Sequence, residues 1–215
     1  RGSSKRRPPP PTGPGPRQAP VERTRREAAL SAYSRAATAL DRALALQHTM
    51  PEAHSNRAAA LRQLGRHEEA LEACRVSLEL KSDQPGVLFK QGATLADLGR
   101  VTEAVTYYRK GLELDPDNLP AMVELAGNLV AVDEVAEAKA LCEQVLSHEP
   151  ENAGALVNLA IAVGAQGDEG AARSLLREAL SIEDRLPNAW LQYSRMKRFD
   201  EAKVPGARRP SPLVK

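Results

Sequence analysis

Two cysteines, four histidines and 28 carboxylates are the side chains of this 215-residue chain with the chemistry for redox, metal or acid–base work. A redox or zinc pair needs its sulfurs close together, with Cα atoms within about 7 Å for a disulfide. Cys74 and Cys142 lie 68 residues apart and show no such pairing. His48, His54, His67 and His148 have no ligand spacing with one another or with the cysteines. The Gly-Pro run at residues 13–16 precedes no strand–helix unit, so it makes no phosphate loop. No nucleophile elbow or acid–base pair stands out, and the glutamates fall where a solvated helix face would put them. The expectation is a chain with no catalytic residue, no metal and no cofactor, and not an enzyme.

The elements that hold these side chains read as helices almost throughout. Apolar residues recur every three or four positions, as in Leu71, Cys74 and Leu78, and no alternating strand pattern occurs. Pro85, Pro116, Pro150 and Pro187 fall near helix boundaries, and Gly65, Gly99 and Gly167 stand at helix ends, where left-handed backbone is wanted.

The breakers are periodic because the sequence is. Segments 51–84, 85–118, 119–152 and 153–186 align without a gap. Ala70, Ala104, Ala138 and Ala172 share one position, and Leu78, Leu112, Leu146 and Leu180 another; Leu80, Leu114 and Ile182 recur nearby. Cys74 and Cys142 take the place held by Tyr108 and Leu176, a core position, and so read as small buried hydrophobes. A period of this length is the signature of a helical array.

The second segment carries Gly92, Gly99, Ala104, Tyr108, Gly111 and Pro116 in the pattern that resembles the tetratricopeptide repeat family. The resemblance covers residues 51–186 and implies an all-α fold, an α-α superhelix of antiparallel helix pairs with a concave inner face. Residues 21–50, with Ala36, Ala43, Leu44 and Leu46 in phase, resemble a degenerate repeat. Residues 187–200 resemble a capping first helix with Trp190 at its large-residue position. In the third segment Asp133 replaces the turn glycine, so a looser corner is expected there.

The ends differ in composition. Residues 1–20 hold seven prolines, three glycines, five basic residues and no acid, which predicts a disordered arm; residues 201–215 predict a disordered tail. Lys5, Pro8 and Pro11 match a basic-xxPxxP adaptor ligand, against the plainer reading of a solvated linker. The net charge of +2 divides into +5 for residues 1–20, −7 for 21–195 and +4 for 196–215. An acidic middle disfavours nucleic acid as partner, leaving only weak contact through the tails. No apolar run reaches the roughly 18 residues that span a membrane. No signal peptide is visible, and two cysteines fit a reducing, cytoplasmic compartment.

The family phase places the first helix of each pair on the concave face. It implies one row of Ser55, Phe89, Val123, Val157 and Leu191, and a second of Asn56, Lys90, Glu124, Asn158 and Gln192. A third row is Ala59, Ala93, Gly127, Ile161 and Arg195. The first row is apolar from Phe89 onward and is expected to be free of helix packing; the competing reading is that it packs against neighbouring first helices. An apolar stripe beside polar side chains suits an extended or helical peptide of a protein partner, with no small-molecule substrate. Asn56 and Asn158 resemble asparagines that some members use to hold peptide backbone, a ladder interrupted by Lys90 and Glu124. The family's carboxylate clamp is unmet, because Ser55 and Ala59 stand where Lys and Asn are required. A second reading makes the chain the repeat region of a larger enzyme: AWLQYSRMKRF is similar to the junction of repeat-linked sulfotransferases. A third has the basic tails associate with membrane or nucleic acid.

Overall fold

A computed structural model describes residues 18–183 and 186–195. They form ten helices: α1 (Gln18–Leu46), α2 (Pro51–Gln63), α3 (His67–Leu80), α4 (Pro85–Asp97), α5 (Val101–Leu114), α6 (Leu119–Ala131), α7 (Val135–His148), α8 (Ala153–Ala165), α9 (Glu169–Ile182) and α10 (Pro187–Arg195). The parts of the predicted arm and tail at 1–17 and 196–215 lie outside the described residues. Residues 18–20, assigned above to the arm, are the first turn of α1.

Local chemistry sets the helix boundaries. Pro51 and Pro85 open α2 and α4, where the missing N–H costs nothing and φ is already helical. Asn118, Asn152 and Asp168 cap α6, α8 and α9 by accepting from the backbone N–H of Ala121, Ala155 and Ala171 at 3.0, 2.9 and 2.9 Å. The corner after each first helix needs one left-handed residue. Gly65, Gly99 and Gly167 supply it with φ of 74°, 75° and 95°.

The expected loosening at Asp133 does not occur. Asp133 adopts φ 66°, a conformation that Asp tolerates better than most side chains. The corner bond is also unchanged: Glu134 N–H to the Leu129 carbonyl is 2.9 Å, as for Arg66 to Leu61 and Arg100 to Leu95.

The pairs α2/α3, α4/α5, α6/α7 and α8/α9 stack in chain order. Ala70, Ala104, Ala138 and Ala172 are fully buried, because only a small side chain permits the backbones to approach at the crossing. Cys74, Tyr108, Cys142 and Leu176 fill the same core position, at most 1% exposed. At the far end α10 covers the last pair with Ala189, Trp190 and Tyr193, which pack on Leu176, Ala179 and Leu180.

Residues 21–50 depart from a helix pair. They belong to one uninterrupted helix, α1, up to Leu46. The physical reason is local: Ser31 stands where later segments have Gly or Asp at the corner, and no Gly or Pro falls between Val21 and Leu46. Nothing there breaks the hydrogen-bond ladder, so α1 runs on for 29 residues.

Candidate interaction groove

Successive first helices pack backbone against backbone, α2 with α4, α4 with α6, α6 with α8 and α8 with α10, whereas the backbones of α3, α5, α7 and α9 stay apart and α5 reaches α7 through the long Arg109 side chain. An array packed closer on one side than the other curves, with the first helices on the inside. The concave face is therefore built from α2, α4, α6, α8 and α10.

The first row divides once its packing is seen, which corrects the expectation that it is free of helix contacts. Phe89 stacks on Tyr108 with ring centroids 6.3 Å apart, and its ring fills the space beside Gly111 so closely that a Cβ there would lie 2.3 Å from it. Val157 is 6% exposed and belongs to the core under α10. Val123 is half-buried and packs toward Gly154. Ser55 is buried. Leu191, 48% exposed, is the anchor that helix packing leaves open.

The polar row divides as well. Lys90 Nζ donates to Ser55 Oγ at 2.6 Å, and Asn158 Nδ2 donates to the Val123 carbonyl at 2.9 Å. Each ties its helix to the preceding first helix, so these donors staple the wall. Asn56 and Glu124 are exposed and Gln192 is half-buried; none of the three makes a side-chain hydrogen bond to a described residue. In the third row Ala59, Ala93, Gly127 and Ile161 are half-buried. A cleft of about 240 Å³ opens between α8 and α10, lined by Gly154, Val157, Asn158 and Pro187 among others.

Two cross-repeat ion pairs were not read from the sequence, Arg109 with Glu134 and Glu137, and Arg62 with Asp97. Arg62 donates to Asp97 at 2.6 Å, bridging α2 and α4 at the corner end of the groove. Partial burial alone would lower the Arg62 pKa, but the Asp97 bond and charge outweigh it and raise it. The pair is 35 residues apart, the same offset as Lys90–Ser55 and Asn158–Val123. A search of the aligned segments for complementary side chains at that offset would have found it.

The residues with chemical potential are placed apart. Cys74 and Cys142 are free and buried; burial pushes the first thiol up to about 11 and the second up to about 12. Nucleophilic sulfur needs the thiolate, so neither is poised to react at neutral pH. His54 is half-buried with its Nε2 2.9 Å from the His48 carbonyl, and His67 Nδ1 lies 3.9 Å from Asp97. Among the described residues no group of three or more His, Cys, Asp or Glu is placed to hold a metal. No described helix is long and apolar enough to cross a membrane.

Three family models, each of the tetratricopeptide repeat, match residues 25–85, 85–118 and 129–192, most of the chain. The chain is a tetratricopeptide repeat protein. No curated protein matches it. Among solved structures it is similar to YrrB, described as a TPR protein with an unusual peptide-binding site, at 19% identity and TM-score 0.66 over 79% of this chain and 87% of that one. It is similar to PilW, a type IV pilus biogenesis factor, at 22% identity and TM-score 0.66 over 80% and 83%. MamA 41-end from Desulfovibrio magneticus RS-1 follows at 22% and 0.60, over 66% and 80%. At these identities the likeness establishes the fold. All three family matches are repeat models, and none supports the sulfotransferase-linked reading. In this tetratricopeptide repeat protein the similar stretch forms α10 as far as Arg195 and then leaves the described residues.

Proposed function

We propose that the protein is a binding scaffold, not an enzyme, that holds an extended or helical segment of a protein partner in the concave groove, at the C-terminal half formed by α6, α8 and α10. The observation that carries this reading is α8. Its sequence, AGALVNLAIAVGA, has one polar side chain, Asn158, although the helix lines the concave face. A helix apolar on every side is normally buried on every side. Val157 and the alanines behind it satisfy the core, while Ile161 and the neighbouring Leu191 keep apolar surface open to the groove. Gln192 supplies an amide beside this floor for a peptide backbone. YrrB, of the same fold, carries a peptide-binding site, which agrees with this use of the architecture.

The packing roles of Phe89 and Val157 make them poor probes, since their truncation perturbs the core. Leu191 and Gln192 are better. A photo-crosslinking residue at Gln192 is expected to yield adducts that Leu191→Glu abolishes, and the same probe at Arg177, on a second helix, is expected to yield none. Adducts of equal yield from both positions, or unaffected by Leu191→Glu, would remove the groove assignment.

A further inference from the structure

The two halves of the solenoid carry opposite charge at equivalent positions. After the corners, Arg66 and Arg100 in the first two pairs give way to Glu134 and Asp168 in the last two. On the opposite edge, Lys81 gives way to Asp115 and then Glu149. From Glu113 to Glu183 fourteen acidic side chains face three basic ones, Lys139, Arg173 and Arg177. Arg109 takes up Glu134 and Glu137, and Lys139 lies 3.8 Å from Glu143. Asp117, Glu124, Glu149, Glu151, Glu169 and Glu183 make no ion pair with a described cation. The apolar floor of α6, α8 and α10 therefore lies between two acidic rims, with Glu124 on the floor itself.

The other end of the molecule offers the complement. At 1.5 Å per residue α1 is about 43 Å long, more than twice the length of the 13-residue α2 on which it packs. Every residue from Arg23 to Ala36 is exposed, and Ala37 is the first buried one. Arg26, Leu30, Tyr33 and Ala37 are spaced by four, three and four, so they share one helix face, which continues into the half-buried Leu40 and Leu44. Leu30 and Tyr33, 39% and 38% exposed, thus prolong a packing stripe beyond α2, the one described helix that packs on α1. The same stretch carries Arg23, Arg25, Arg26 and Arg35 against two acids, Glu22 and Glu27, the second of which Arg23 holds at 2.8 Å.

We propose that the overhanging half of α1 docks as a basic amphipathic helix into the acid-rimmed floor of α6, α8 and α10 of a second copy, joining copies head to tail. This rests on the groove reading and names an occupant for that groove. Leu30 and Tyr33 meet the apolar floor beside Leu191, while Arg25 and Arg26 meet carboxylates that pair with no described cation of their own chain. The chain's own groove is out of reach, because α1 is one continuous helix fixed to α2 from Ala37 onward, at the far end of the array from α10. Parallel pairing of α1 with α1 would set Arg23, Arg25 and Arg26 against their own copies, and antiparallel pairing would set them against residues 37–40, which offer no carboxylate. The contact is heterologous, so each docking leaves one helix and one groove free, and association continues until a ring closes.

The test uses two full-length variants altered only at exposed positions: Leu30→Glu with Tyr33→Glu, which spoils the helix, and Glu124→Arg with Leu191→Arg, which spoils the groove. Sedimentation velocity is run on wild type, on each variant and on their mixture, with circular dichroism to verify unchanged helicity. Wild type is expected to grow beyond a dimer with concentration, and to weaken about tenfold between roughly 50 and 300 mM salt. Each variant alone is expected to be monomeric and their mixture to stop at a 1:1 dimer. A groove variant that still self-associates overturns the proposal in favour of α1–α1 pairing. A wild type that stays monomeric also overturns it, and Leu191-dependent crosslinking at Gln192 to another protein in that case leaves the groove reading standing.

Discussion

Gly92 and Tyr108 are a matched pair that the other repeats lack. At the position of Gly92 the other pairs carry Ala58, Ala126 and Ala160, and the residues facing them are Cys74, Cys142 and Leu176. Where the facing residue is the large Tyr108, the position has lost its methyl group. A Cβ on Gly92 would lie 2.9 Å from Tyr108 Cδ2, 3.0 Å from Cε2 and 3.3 Å from the Ala104 carbonyl. The Tyr108 ring is 1% exposed and stacked against Phe89, so it has nowhere to retreat. Two effects then oppose each other in Gly92→Ala. Alanine gains about 1 kcal/mol of helix propensity, while overpacking costs about 1–3 kcal/mol. The net expectation is a loss of about 1 kcal/mol. In a Tyr108→Leu background the site becomes the Ala160–Leu176 pair of the fourth repeat, and Gly92→Ala should stabilise by about 1 kcal/mol. The cycle therefore predicts a coupling energy of about 2 kcal/mol. Urea unfolding of the four proteins, followed by circular dichroism, reads it out; Tyr108→Leu is itself destabilising, so the coupling is the quantity compared. If Gly92→Ala costs the same in both backgrounds, the ring contact is not what keeps glycine there.

Other consequences are as direct. Asp133→Gly should stabilise by roughly 0.5–1 kcal/mol, because glycine holds a left-handed corner without a Cβ penalty, and Asp133→Val should destabilise by at least as much; thermal melts measure both. Arg109→Gln removes the link from α5 to Glu134 and Glu137 and should cost about 0.5–1 kcal/mol at low salt and less at high salt, since all three side chains are more than a third exposed. Burial raises both thiol pKa values above the ordinary 9.0, so the folded state holds its thiol protons more tightly than the unfolded one. That contribution to stability is complete below pH 9 and is lost as pH rises through about 11 and 12, and thiol-reactive dye at pH 8 should label the folded protein far more slowly than the urea-unfolded one.

The repeat was legible because it is a packing rule written at fixed intervals. Buried alanines at 70, 104, 138 and 172 and left-handed residues at 65, 99, 133 and 167 must recur wherever the same crossing and corner recur. The groove was legible only in outline. Which helices face inward follows from phase, but whether a side chain there is free depends on its neighbours: Phe89 is drawn into the wall because residue 111 is glycine, and Leu191 stays out because no described helix follows α10 to pack on it. Likewise Asn158 is committed to the Val123 carbonyl, whereas Asn56 has no first helix before it to bond. Such commitments are pairwise across 35 positions, and no single helix reveals them.

The charge reversal belongs to a different class of feature from the repeat itself. Arg66, Arg100, Glu134 and Asp168 each sit just before a second helix, and all four corners keep the same backbone geometry around them. The corner geometry thus tolerates either sign. In an array stabilised mainly by contacts between neighbours, a rim residue can change sign without disturbing the stack. Arg66 and Arg100 each pair with a glutamate three residues on, which neutralises the first two corners. Asp168 instead spends its carboxylate on the Ala171 N–H, a cap that leaves the negative charge in place. The fourth corner is therefore acidic: its charge serves the start of α9 and is met by no described cation, so it remains available to recognition.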